Sequence, residues 1–457
     1  MSSAGISFGG LASGLDTQAI IAALVAVERR PITQLEAKKT ELGKQKSLFG
    51  DLDGLLDKLS TAARKLKTTS QFLVMKGASS NEDVLTVAAS SGATPGTHEI
   101  EVIKLAAAQL NHSSGSASPT ESLGSYGEFT LDVGGTQHVI SLSNPTLQGV
   151  ADAINNIGGA SVRAEVVDTG ATTNPHQLVI RATETGVANG FSFSGVSGDA
   201  AFTNLIADLQ TPANKIDATD AELKVNGITI FRPTNSVTGA IAGVTLDLKS
   251  TSALNEKVQV TISTDSEEVG KKIQEFVDAY NEVVDFFAKQ SVVNDKGEAQ
   301  SVLFGDSTLR SMRSALRSIV GGAVTTTGNP AFQMLAQAGV SSDRDGKLTF
   351  TQTELDDALA TDEQAVSKIF TDATNGIAKR LEEQAKVYTD SVDGLIKTRV
   401  DGFDSRIKQA DDRIDQAERR LELYQKQLET KYANLESLLS KLQGQGSSIG
   451  NIFQSKS

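Results

Sequence analysis

Val400, Ile407, Ile414, Leu421, Leu428, Leu435 and Leu442 recur every seven residues without a miss. A second series, Ile396, Phe403, Ala410, Ala417, Tyr424, Lys431 and Leu438, runs beside it, and only Lys431 breaks its apolar pattern. Together they form an a/d seam over about seven heptads, the pattern that packs one helix against another. No other feature constrains the fold as much. A helix over 396–443 would be roughly 70 Å long, and its seam has to be covered by another helix. With Val400 as a, the e positions Asp404, Asp411 and Glu418 are acidic and the g positions Arg406, Arg413 and Arg420 are basic.

A matching seam lies near the other end. Leu35, Leu42, Phe49, Leu56 and Ala63 are seven apart, as are Leu52, Leu59 and Leu66. The g positions Leu48, Leu55 and Ala62 are apolar too, a face too wide for two strands, so three or more helices are expected around it. Pro31 is placed at the start of this helix, where proline is tolerated. Before it, Asp16 caps a shorter helix carrying Ile20, Ile21, Leu24 and Val27.

Between the seams the period changes to two. Phe129, Leu131 and Val133 lead through Gly134-Gly135 into Val139, and Leu223 and Val225 lead through Asn226-Gly227 into Ile228 and Ile230; both read as hairpins. Six of eight prolines and all four histidines lie between 95 and 233, and none of the prolines follows Pro330. From Ser266 helical spacing returns. Thr351-x-x-Glu354 and Thr361-x-x-Gln364 read as capping boxes. The expected fold class is therefore α+β and multidomain: an antiparallel helical coiled-coil leg formed by both termini, with β-rich head domains inserted between them. A compact insertion requires the antiparallel sense, in which e faces e′ and g faces g′. A parallel pair would instead match g arginines with e′ carboxylates, so charge permits parallel contacts between C-terminal helices of neighbouring copies.

Chemistry is hard to find. With no cysteine there is no disulfide or thiolate site. Gly9-x4-Gly14 lacks the Lys and Ser/Thr of a P-loop. Gly446-x-Ser448-x-Gly450 has no histidine after it. Asp343, Asp345 and Glu354 do not complete a calcium loop, since Lys347 and Leu348 occupy ligand and glycine positions, and the histidines lack zinc spacing. No catalytic, cofactor-binding or metal residue is assigned, no cofactor is expected, and the chain is read as not an enzyme. A net charge of −13 argues against nucleic acid as a partner. The longest apolar run, residues 19–27, is about half a membrane span, and no basic segment precedes it, so neither a membrane partner nor a cleaved leader is expected.

Several blocks resemble one family. Ile6-Ser7-Phe8-Gly9-Gly10-Leu11-Ala12-Ser13-Gly14-Leu15-Asp16, followed by Ile20-Ile21, Leu24, Glu28, Pro31 and Leu35, resembles the opening of flagellar filament cap proteins, the hook-associated protein 2 (FliD) family. Thr146 to Asn155, followed by Val162 to Val166, is similar to the "IN" motif of flagellins and hook-associated proteins. Asp220 to Gly227, Gly243 to Leu248, Phe276 to Asn281 and Gly339 to Leu348 also resemble the cap family, in order.

The resemblance implies a structural cap at the distal tip of the bacterial flagellar filament, an oligomer that promotes insertion and folding of exported flagellin. It implies an extracellular location reached without a cleaved signal peptide. The implied partners are other copies of the chain in a ring-like homo-oligomer, flagellin, hook–filament junction proteins and a cytoplasmic export chaperone. It divides the chain into terminal helical or flexible polymerisation segments (1–40 and 434–457), a helical leg (41–72 and 267–433), a β-rich head (73–102 and 217–266) and an outer β-rich head with the "IN" motif (103–216). The expected oligomer and flagellin interface is Ile20, Leu24, Val27, Leu35, Leu42, Leu421, Leu428, Leu435 and Leu442. Ile449, Ile452 and Phe453, in a Gly/Ser-rich tail, read either as a frayed end or as a chaperone-docking motif. Two other classes are carried: a surface adhesin with a β head on a coiled-coil stalk, and a secreted cell-wall hydrolase, which would need a cleft with facing carboxylates or a metal.

Overall fold

The computed structural model describes residues 14, 16–254 and 256–454, with side chains up to residue 448. Residues 6–13 and Leu15 of the glycine-rich N-terminal block lie outside the described residues. Helix α1 (Thr17–Arg64) opens on Asp16, whose carboxylate accepts a hydrogen bond from Ala19 N at 2.9 Å. The short α2 (Thr69–Phe72) follows. Pro31 does not start a second helix; it lies inside α1, which runs through it for 48 residues. Proline removes one backbone hydrogen bond, but Ile21 and Val25 before it and Leu35 after it all lie beside α9, and this packing on both sides keeps the segment helical.

The chain then makes β1 (Met75–Ser79), β2 (Leu85–Ala89), β3 (Gly96–Lys104) and β4 (Leu110–His112). Next come β5 (Tyr126–Val133), β6 (Thr136–Ser143), α3 (Leu147–Asn155), β7 (Val162–Asp168), β8 (His176–Ala182), β9 (Phe191–Gly198), α4 (Ala200–Asp208) and β10 (Lys215–Ile216). It continues through β11 (Ala221–Val225), β12 (Ile228–Arg232), β13 (Ser236–Ile241), β14 (Val244–Leu248) and β15 (Val258–Thr264). Both hairpins read from the sequence are present, β5–β6 and β11–β12. The β11–β12 turn places Asn226 and Gly227 at φ 49° and 84°, the two positive values that a tight hairpin turn requires.

The chain divides into two compact units, residues 1–72 with 270–457 and residues 73–269. The second unit has two cores. A five-stranded antiparallel sheet in the order β1-β15-β3-β11-β12 and a three-stranded sheet β13-β14-β2 enclose Leu85, Ile100, Val102, Leu223, Leu246 and Val260. A four-stranded sheet β10-β4-β8-β7, a three-stranded sheet β6-β5-β9 and helices α3 and α4 enclose Phe129, Leu131, Ile154, Ile180 and Phe202. In α3, Leu147, Val150, Ala151 and Ile154 are all buried behind a Thr146 N-cap, as the i, i+3, i+4, i+7 spacing predicts.

The first unit is helical: α5 (Ser266–Lys289, entering from the second unit), α6 (Ser307–Val320), the small hairpin β16 (Val340–Ser342) and β17 (Leu348–Phe350), α7 (Gln352–Thr371), α8 (Ile377–Thr389) and α9 (Leu395–Gln454). Neither capping box forms as read. Thr351 stands at the α7 N-cap without a side-chain hydrogen bond, and the second cap is Asp362, not Thr361. Asp362 breaks α7 with φ −157° and ψ 83°, and its carboxylate accepts from Ala365 N at 2.9 Å. A carboxylate caps better than a threonine hydroxyl already committed elsewhere: Thr361 donates to Asp357 O. Helix α9 continues through the Gly/Ser-rich tail to Gln454, while the side chains of Ile449, Ile452 and Phe453 lie outside the described residues.

Candidate interface on the terminal coil

Helices α1 and α9 pair antiparallel. Phe49 meets Phe403 with ring centroids 5.7 Å apart. Further along, Lys46 Nζ lies 2.5 Å from Asp404 and Lys39 Nζ 2.5 Å from Asp411. As α1 is followed toward its N-terminus, its partner residues advance toward the C-terminus of α9. On the heptads of both seams Lys39, Lys46, Asp404 and Asp411 are all e positions. The e–e′ facing of an antiparallel coil is therefore filled by opposite charges, a match that the charges of the C-terminal helix alone do not reveal. These side chains are 41–49% exposed, so each pair contributes only about 0.2–1 kcal/mol and selects direction more than it stabilises.

A second lock sits at the start of α9. The Arg399 guanidinium lies 5.4 Å from the Phe49 ring centroid and 5.6 Å from that of Phe403. It also pairs with Asp306 at 2.5 Å. The other Asp306 oxygen caps α6 through Thr308 N at 2.8 Å and Leu309 N at 3.2 Å.

Around residues 49–66 α1 belongs to a bundle. Ion pairs link it to α5 (Lys58–Glu282, Lys65–Glu275) and to α8 (Arg64–Glu382). Here Leu52, Leu56 and Leu59 are wholly buried; of the g positions Ala62 is buried, while Leu48 and Leu55 are half-buried. Between Arg64 and Lys67, Glu382 loses solvation, which raises its pKa, but the two cations outweigh this and hold it below the usual carboxylate range. Tyr280, inside the bundle, is pushed up to about 12 by burial, against the opposing pull of Arg317 and Arg313.

Beyond that bundle only two helices remain among the described residues, and two helices cannot cover a broad apolar face. The expected interface residues therefore separate. Leu42 and Leu421, 2% and 8% exposed, are enclosed in the coil, so their apolar surface is already taken up within the chain. Leu35, Leu428 and Ile20 are half-buried. Leu24, Val27, Leu435 and Leu442 are open to solvent, with Val27 at 56% and Leu442 at 54%. Between the two helices runs a groove of about 1100 Å³, lined by Ile21, Val25 and Arg29 on one side and Gln425, Glu429 and Tyr432 on the other. Helix α9 also carries exposed Leu423 and Leu438, which are absent from the expected interface although Leu438 lies in the d series. The arrangement offers apolar packing and ion pairing along a rod of parallel stripes. Among the described residues no His, Asp and Glu cluster could hold a metal, and no helix is long and apolar enough to cross a membrane.

Comparison with known proteins gives this coil a context. Residues 13–109 match the family described as flagellar hook-associated protein 2 N-terminus, and residues 218–444 match its C-terminus. The chain is 29% identical over 357 residues to the B-type flagellar hook-associated protein 2 of Pseudomonas aeruginosa, covering 74% of each. It is 27% identical over 385 residues to the flagellar hook-associated protein 2 of Escherichia coli K12, covering 80% of each. Among solved structures it is similar to the D1-D2-D3 domains of the flagellar cap protein FliD from Escherichia coli. The TM-score there is 0.62 at 27% identity, covering 78% of this chain and 99% of that one.

Proposed function

The chain belongs to the flagellar hook-associated protein 2 family, and from that premise we propose that it is the structural cap at the distal tip of the bacterial flagellar filament. One observation carries the reading: the family matches reach both strands of the terminal coil, residues 13–109 and 218–444, where apolar stripes are left open. Such stripes cost little in a subunit that is normally surrounded by others. The finer reading is an oligomeric ring that holds exported flagellin while it folds and inserts. The partners are other copies of the chain, flagellin and hook–filament junction proteins. A cytoplasmic chaperone would guide export by binding the segment with Ile449, Ile452 and Phe453, and the chain would leave without a cleaved leader. The comparisons give the adhesin alternative no support.

A deletion strain tests this. Loss of filaments with unpolymerised flagellin in the medium, restored by the intact gene, is the expected result. Normal filaments in the deletion strain would sink the reading. Electron microscopy of the purified protein is expected to show closed rings rather than an extended monomer or trimer.

A further inference from the structure

The charged residues of α6 are three arginines, Arg310, Arg313 and Arg317, with no acid among them. They stand three and four residues apart, where like charges on a helix repel. The guanidinium bonds go to backbone carbonyls: Arg310 to Gly305 O, Arg313 to Asp345 O and Arg317 to Arg344 O. Among the described residues, no ion pair reaches any of the three. Asp306, four residues before Arg310, is held by Arg399 and by the α6 cap. Asp343 and Asp345, on the β16–β17 turn, lie toward Lys347. Helix α1 carries the reverse. Asp53 and Asp57 stand four apart, and neither has a cation three or four residues away. Opposite Asp53 in the e row of the coil is Lys397, which pairs with Asp401 instead. Burial and the neighbouring Asp57 charge push the Asp53 carboxyl up from its ordinary pKa. Beside them Gly50 and Gly54 are exposed, and a Cβ at either would touch nothing. Glycine weakens a helix relative to alanine, and no packing among the described residues demands it at these two positions.

The two faces stand at one level. Arg399 bonds Asp306, the α6 N-cap, and lies against the Phe49 ring, so α6 begins level with Phe49. Tyr280 lies between the levels of Lys58 and Lys65, whose partners on α5 are Glu282 and Glu275, and it is within electrostatic reach of Arg313 and Arg317. Helix α6 therefore runs alongside α1 in the same direction, and Arg310 to Arg317 span the levels of Asp53 to Ser60. Gly50, Gly54 and Asp57 lie on the side of α1 opposite the buried Leu52, Leu56 and Leu59, and α8 packs against both α1 and α6. Within one copy the bundle thus separates the two faces. We propose that Arg310 and Arg317 of α6 dock on Asp53 and Asp57 of α1 in a second copy of this chain, standing parallel and at the same height. Head-to-tail contacts of this kind close into rings of identical copies, and equal levels leave no axial step between neighbours. Helical side chains lean toward the N-terminus, so Arg317 reaches down to Asp57, and Gly50 and Gly54 leave room for the arginine stems to lie flat. This rests on the reading of the chain as a ring-forming cap.

The absence of cysteine makes the test direct. Full-length Arg310→Cys is mixed with full-length Gly54→Cys under mild oxidation, with the mass of the assembly measured in the same sample. The expected result is a mixed disulfide dimer, much more abundant than in a control of Arg310→Cys with Gly43→Cys, which lies about 16 Å further along α1. Assembled rings in which the two pairs link equally would overturn the proposal and leave the cap reading standing. A wild-type chain that never self-associates would overturn both. In a second arm, Arg310→Glu and Arg317→Glu together are expected to weaken self-association roughly tenfold at low salt. Circular dichroism should be unchanged. Mixing with a chain carrying Asp53→Lys and Asp57→Lys should restore assembly, because alternating copies then meet opposite charge at every junction. Failure of that mixture, with both chains folded, would overturn the proposal.

Discussion

Side-chain amides stand in for missing strands at several positions. Asn155, at the end of the Thr146–Asn155 block that resembles the "IN" motif, donates to Ala164 O at 2.6 Å and accepts from Ala164 N at 3.0 Å. Ala164 is on β7, the edge of its sheet, so the carboxamide closes an edge that could otherwise pair with another chain. Asn281 does the same for Leu348, at 2.8 Å in both directions, and Asn235 for Ala106. Asn155 and Asn281 stand in blocks that resemble the cap family, but their role needs a backbone amide far away in sequence or in another element. Asn155→Ala should lower stability by about 1–3 kcal/mol and raise aggregation of the β-rich unit, read by urea unfolding and light scattering. Asp306→Ala should cost about 2 kcal/mol, combining a lost N-cap with an orphaned Arg399; a urea midpoint unchanged from wild type would refute its double role. Glu382 supplies a pH signature. Its folded pKa is depressed, so its contribution is full above the unfolded value of about 4.3 and is lost as pH falls through the folded value. The stability gap between wild type and Glu382→Gln should therefore be about 1 kcal/mol at pH 7 and shrink progressively as the pH falls below about 4.3.

At the scale of elements, the seams were legible because period-seven repetition survives any tertiary context. The antiparallel sense followed from the compact insertion between them. What the repeat could not show is where the third and later helices stop. Around Phe49 to Leu66 they enclose α1, and toward Thr17 they are gone, so residues with equivalent seam positions end up buried (Leu42) or open (Leu435). Pro31 departs from expectation for a related reason: proline rules describe isolated helices, and here packing against a partner carries α1 through. Charge reversal of Lys39 and Lys46 to Asp should destabilise the coil by up to about 1 kcal/mol per site. Pairing it with Asp404→Lys and Asp411→Lys should recover most of the loss in a double-mutant cycle, whereas two unrelated surface pairs would simply add.

For the whole molecule, the family matches leave out residues 110–217, which contain the second core of the β-rich unit. That segment leaves and re-enters at one place. Lys215 pairs with Asn111 in the β4–β10 ladder, and Ala107 bridges Thr219. Its core is built from its own strands and helices, separate from the core of Leu85, Ile100 and Leu223. Replacing residues 110–216 by a short Gly-Ser linker should therefore leave a cooperative melt of the remaining chain, followed by circular dichroism and calorimetry. A broad, non-cooperative transition would show the two cores to be one folding unit.

By itself the sequence determined the periods, and with them the element types, the α+β class, the antiparallel coil of the two ends and the family resemblance. These follow from local spacing and chain order, which need no knowledge of what lies across the fold. The tertiary structure alone decided which seam residues are enclosed, that Asp404 and Asp411 are already neutralised within the chain, and which strand edges the asparagines close. Those outcomes depend on how many neighbours reach each position, and residues far apart in the chain supply them.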